Sequence, residues 1–119
     1  MLRTLTTLLG ALFVLQGIGW LVVPGRAAGG LGMPLLDGLG RSTQIGDFGA
    51  FFLVAGATMV LGARWQERVL LHVAAALLGC AALGRLVAWA AHGADLAWLF
   101  IAVELAVTAL LLRTARSTP

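Results

Sequence analysis

Residues Val69–Ala91 read VLLHVAAALLGCAALGRLVAWAA. The run matches the roughly 20 apolar residues a helix needs to cross hydrocarbon. It carries His72 near its start and one ionised side chain, Arg85. A surface helix of a soluble protein would show a polar stripe, and a strand would be far shorter. Working outward, Leu5–Val23 is a second such run, closed by Pro24-Gly25. Thr43–Ala63 and Leu96–Leu112 complete a set of spans at about 5–23, 43–63, 69–91 and 96–112. The expected fold is all-α, an integral membrane four-helix bundle forming one domain over residues 1–119. The first run is longer than the roughly 7–15 residues of a signal-peptide core, so it is read as a span.

Composition agrees with a bilayer as the solvent. The 119 residues are 61% hydrophobic and 11% charged, with a mean hydropathy of +0.99, where a soluble domain carries about a quarter charged residues. All basic residues are Arg and there is no Tyr; with so much Ala and Gly, this suggests a GC-rich bacterial genome. The sequence pI is about 11.2 but the net charge is only +3, and no basic stripe exists, so no nucleic-acid partner is expected. Cys80 is the single cysteine, which excludes an internal disulfide and a Cys-based zinc site.

The Arg residues are read as topology signals. Arg3, Arg64, Arg68, Arg113 and Arg116 fall on one side of the spans, Arg26 and Arg41 on the other. Positive charge stays cytoplasmic. Both termini are therefore expected inside, with loops 24–42 and 92–95 outside, in the inner membrane of a bacterium. The long outer loop, PGRAAGGLGMPLLDGLGRST, contains Leu31, Met33, Leu35 and Leu36. A solvated linker has no use for those side chains, so the loop is expected to fold back as a short interfacial helix or lid. It lacks the GxxxxGK[ST] and GxGxxG phosphate patterns, and the chain lacks an internal repeat of the transporter kind.

Helices in lipid associate through close backbone approach and interhelical hydrogen bonds. Three small-residue stripes are expected to face the bundle interior: Gly10 and Gly17; Gly49, Gly56 and Ala63; and Ala76, Cys80, Gly84 and Ala88.

Four side chains do not belong in hydrocarbon: Gln16, Asp47, Arg85 and Glu104, one in each span. Helix rise places all four roughly 6–12 Å below the outer boundary. A charge near a helix centre costs roughly 2.5–3.5 kcal/mol on insertion scales, so these groups are expected to meet. Arg85 would bridge one or both carboxylates, Gln16 would complete the network, and Arg41 would approach Asp47 from the loop. Arg85, Trp89 and His92 share one helix face at spacings of four and three; with Trp20 and Trp98 they form either an aromatic belt or an aromatic-walled pocket over Arg85. The polar layer is either an ion-pair network that fixes helix register or a site for a ligand or proton.

Several chemistries are excluded. His72 and His92 lie on one span, roughly 30 Å apart, which rules out bis-His haem within the chain. No Glu-x-x-His, HExxH, serine-elbow or Walker pattern is present. No catalytic residue, metal or cofactor is expected.

RSTQIGDFGAFFLVAG (41–56), LGRLVAW (83–89) and the Glu of IAVELAV (101–107) resemble an uncharacterised bacterial family of small four-helix membrane proteins, a domain of unknown function that is distantly DoxX-like. The resemblance covers about residues 35–112. Its Arg before span two, Arg in span three and acid in span four match Arg41, Arg85 and Glu104. It implies the same four-helix bundle and no established reaction. DoxX-like relatives include quinone-linked and complex-associated subunits, but this chain shows no redox ligand set. The expected function is that of a non-enzymatic accessory subunit, or a binder of a lipid, quinone or other amphiphile in an outer-half pocket. Expected partners are membrane lipid and a larger membrane complex or homo-oligomer. The alternatives are a membrane enzyme or redox subunit with a carboxylate proton relay, and an oligomeric small transporter or channel.

Overall fold

A computed structural model describes all residues, Met1–Pro119. The chain is helical throughout, without strands. Helix α1 spans Leu2–Val22, α2 spans Pro24–Gly30, α3 spans Gly38–Trp65, α4 spans Arg68–Ala91 and α5 spans Trp98–Arg116. The four long helices, α1, α3, α4 and α5, are each long and apolar enough to cross a membrane. They alternate in direction. One end of the bundle, the loop end, carries α2 and the connections at 23–37 and 92–97; the terminal end carries both chain termini and the α3–α4 turn.

Local chemistry sets the boundaries. Val23 precedes Pro24 and leaves the helical region (φ −131°, ψ 61°), as a residue before proline does. Pro24 then takes the first position of α2, where its missing N–H costs nothing. Gly32, at φ 79°, turns the chain after α2. The α3–α4 turn is only Gln66-Glu67: Gln66 adopts the left-handed conformation and the Glu67 N–H closes on the Gly62 carbonyl at 3.0 Å. α3 starts at Gly38, earlier than Thr43, because Gly38–Thr43 continues into the apolar run through a π turn at Gln44–Phe48.

Neighbouring long helices form a ring in the order α1, α3, α4, α5, and the α1–α5 seam is the loosest. The α1–α3 seam is the tightest and rests on glycine. A Cβ on Gly56 would sit 2.6 Å from the Gly10 carbonyl and from the Val14 nitrogen, and one on Gly17 would sit 2.8 Å from the Leu53 nitrogen. These are backbone atoms that cannot swing aside, so the two expected stripes on α1 and α3 do face each other. At the terminal end, Thr6 and Thr114 share a buried hydrogen bond of 2.9 Å, Arg3 Nε donates to the Ala63 carbonyl at 2.9 Å, and Arg68 donates to the Thr118 carbonyl. The threonine pair satisfies two buried hydroxyls, and the two arginines satisfy one carbonyl near the end of α3 and one just past the end of α5.

The third stripe does not face inward. Ala76, Cys80 and Gly84 are exposed, and a Cβ on Gly84 would meet nothing within 4 Å. The buried face of α4 is Leu71, Ala74, Ala75, Leu78 and Ala82. It packs with Met59, Val107 and Leu111. Both faces of α4 are rich in small residues; the one that also leads to Arg85 turns inward, because the charge has its partner there.

The outside of the bundle is apolar. Only 25 of 119 residues are buried, while Leu8, Leu12, Leu15, Val54, Leu83 and Leu105 stand half exposed or more. Such a continuous apolar exterior suits lipid rather than water.

The long loop after α1 does fold back as a short helix. Ala27 and Ala28 of α2 pack on fully buried Trp20, with Leu31, Met33 and Leu35 beside them. Trp20 also stacks on Phe48 at 5.1 Å between ring centroids.

Candidate functional site

The site starts from Arg85 on α4. Its Nε donates to Glu104 Oε1 on α5 at 2.6 Å. Glu104 is 8% exposed, and the Arg85 side chain is one-third exposed. The guanidinium also lies over the Phe100 ring, 4.7 Å from its centroid, one turn before Glu104 on the same helix. The arginine is thus clamped between a carboxylate and an aromatic ring from one neighbouring helix. A charge-assisted bond of this length, with one partner buried, is among the strong side-chain contacts.

Two cavities flank the pair. One, of about 430 Å³, lies at the loose α1–α5 seam, where Leu12, Phe13 and Gln16 face Phe100, Val103 and Glu104. The other, of about 440 Å³, lies between α3 and α4, with Asp47, Phe48, Phe51 and Phe52 opposite Leu77, Cys80, Ala81 and Arg85. Leu31, Phe51, Phe52, Arg85 and Glu104 line both. Leu31 places the folded-back loop as a roof over the ion pair.

The structure brings the four polar-layer residues around one pair of cavities but does not join them into one network. Arg85 engages Glu104 only. Gln16 lines the α1–α5 cavity without a hydrogen bond to the pair. Asp47 lines the α3–α4 cavity, exposed and without an ion pair. Arg85 is already satisfied by Glu104 and Phe100, and neither clamp points toward α3.

Arg41 does not approach Asp47. Its Nη2 lies 3.1 Å from Asp37 Oδ1, and its Nε donates to the Leu36 carbonyl at 2.8 Å. Asp37 is one turn back on the same helix face, whereas a residue six positions on points to another side. Of the Arg85–Trp89–His92 face, only Arg85 reaches the cavities. Trp89 is 51% exposed and His92 is exposed; Phe100 takes the place beside Arg85. Of the loop-end tryptophans, Trp98 is exposed and Trp20 is buried under the loop. His72 is exposed on the α4 surface.

Gln44 is the side chain the sequence reading passed over. It is 4% exposed. Its Oε1 accepts from the Leu36 N–H at 2.7 Å, and its Nε2 donates to the Pro34 carbonyl at 3.1 Å and contacts Met33 Sδ at 3.3 Å. It pins the loop that roofs the site. Its signal was an amide three residues before Asp47, at the edge of an apolar span, where an unsatisfied polar group is costly.

No group of three His, Cys, Asp or Glu side chains is placed to share a metal ion. What the arrangement offers instead is apolar and aromatic volume around one ion pair, with one further carboxylate and one amide on the walls. No protein family, curated protein or solved structure matches the chain.

Proposed function

We propose that this protein is a multi-pass protein of a bacterial inner membrane, with both termini cytoplasmic, that binds an amphiphile such as a lipid or quinone as a non-enzymatic binder or accessory subunit. The observation that carries the reading is the Arg85–Glu104 pair set between two aromatic-walled cavities of about 430 and 440 Å³. A pair kept only for helix register would be sealed by packing, because space beside a buried charge forfeits contacts. Here the space lies at helix seams, where a ligand dissolved in the bilayer enters sideways. As an accessory subunit the protein would sit in a larger membrane complex or homo-oligomer.

The test is native mass spectrometry of protein extracted from its membrane in mild detergent, followed by analysis of the released small molecules. The expected result is a bound amphiphile on the wild type that is depleted in Phe51→Trp, a substitution that fills space on the shared wall. Extraction without any bound amphiphile or partner protein overturns the reading.

A further inference from the structure

The two cavities differ in charge. The α1–α5 cavity has Arg85 and Glu104 as its ionised residues, and they cancel. The α3–α4 cavity has the same two plus Asp47. The chain's two ion pairs are Arg41–Asp37 and Arg85–Glu104, so no cation of the protein answers Asp47. Two carboxylates against one guanidinium leave this cavity with one formal negative charge in excess. Its remaining wall includes Phe48, Phe51 and Phe52.

Carboxylate plus aromatic rings is the chemistry that recognises a soft organic cation. A hard ion such as Na⁺ or Ca²⁺ needs a shell of oxygens, which phenyl rings do not supply. The protein already uses this chemistry once: the Arg85 guanidinium sits over Phe100 with Glu104 at 2.6 Å. The α3–α4 cavity repeats that pattern on its other wall with the cation left out.

Resting on the amphiphile-binding reading above, we infer that the ligand head is cationic: an ammonium or similar organic cation held by Asp47 among Phe48, Phe51 and Phe52, with its apolar body along the seam. An anionic head would meet a guanidinium already neutralised by Glu104, and would face Asp47 as a like charge. The cation could be a soluble lipophilic ion or the ammonium of a lipid headgroup.

The experiment compares three probes of similar shape against the purified full chain in nanodiscs, by equilibrium dialysis with empty nanodiscs subtracted. They are tetraphenylphosphonium, tetraphenylborate and the neutral triphenylphosphine oxide. The expected result is saturable binding of tetraphenylphosphonium, weakened about tenfold by Asp47→Asn, as loss of one partly desolvated charge contact implies, and retained by Asp47→Glu. Tetraphenylborate binding as tight as the cation's, or unchanged cation affinity in a folded Asp47→Asn, overturns the charge assignment. Binding of the oxide without the cation overturns the assignment and leaves the amphiphile reading standing. Binding of none of the three overturns both. Comparing phosphatidylglycerol with phosphatidylethanolamine nanodiscs separates the sources. Weaker probe binding in the latter marks the lipid ammonium as a competitor, and equal binding marks a non-lipid cation; each supports a cation site.

Discussion

Arg85 and Glu104 are unequal partners. A carboxylic acid left alone in an apolar site can shed its charge by taking a proton, whereas an arginine cannot shed its own. Removing Glu104 therefore strands a permanent cation, while removing Arg85 strands a group with an escape. Breaking a buried pair from one side costs about 3–5 kcal/mol, and replacing both partners with apolar residues is often neutral. Glu104→Leu is expected to lose about 3 kcal/mol, Arg85→Met distinctly less, and the double variant to recover most of the loss. Thermal unfolding of the three proteins in detergent checks the order. A double variant no more stable than Glu104→Leu would show that the pair is not the source of the cost. Pairing across two spans was legible from the sequence, because one buried cation and two acids admit few arrangements. The choice of Glu104 over Asp47 was not: it depends on which face of α3 the π turn at Gln44–Phe48 presents, and that irregularity leaves no periodic trace.

At the scale of the helix, small residues were a reliable sign of close approach on α1 and α3 and a misleading one on α4. Gly10, Gly17 and Gly56 lie against backbone, while Gly84 lies against open space. Gly56→Ala is expected to cost about 1–3 kcal/mol, the usual range for forcing a methyl into a packed seam. Gly84→Ala is expected to fall within about 0.5 kcal/mol of wild type, as surface changes do. Parallel unfolding curves decide it; equal losses at both glycines would mean that the α4 stripe is also buried against something. The helices themselves were legible because a bilayer demands about 20 apolar residues per crossing. Which side of each helix turns inward was less so, because in lipid the outside is as apolar as the core and the hydrophobic pattern loses its contrast. Polar side chains then become the better guide: Arg85 marks the inward face of α4 and Gln44 the loop-facing side of α3. Reading the second of these would have located the roof of the site.

At the scale of the molecule, the two ends of the bundle differ in charge. The terminal end bears Arg3, Arg64, Arg68, Arg113 and Arg116, and the loop end bears Arg26 and Arg41. One of that second pair is neutralised by its neighbour, since Arg41 pairs with Asp37 at 3.1 Å. The bias lies in short connections close to span ends, where it acts on orientation most strongly. On this bias we propose that the terminal end is cytoplasmic and the roofed cavities face the outer leaflet, from which a ligand would then arrive. Cys80 is the only cysteine; it is exposed and lines the α3–α4 cavity, so a Cys80→Ser background silences it. Ala94→Cys then reports the loop end and Ser117→Cys the terminal end. In intact cells a membrane-impermeant maleimide is expected to label Ala94→Cys and to spare Ser117→Cys until the membrane is permeabilised. The reverse pattern would turn the bundle over and give the site to the inner leaflet. The cation test on the α3–α4 cavity would be unaffected, because dialysis against nanodiscs presents both faces.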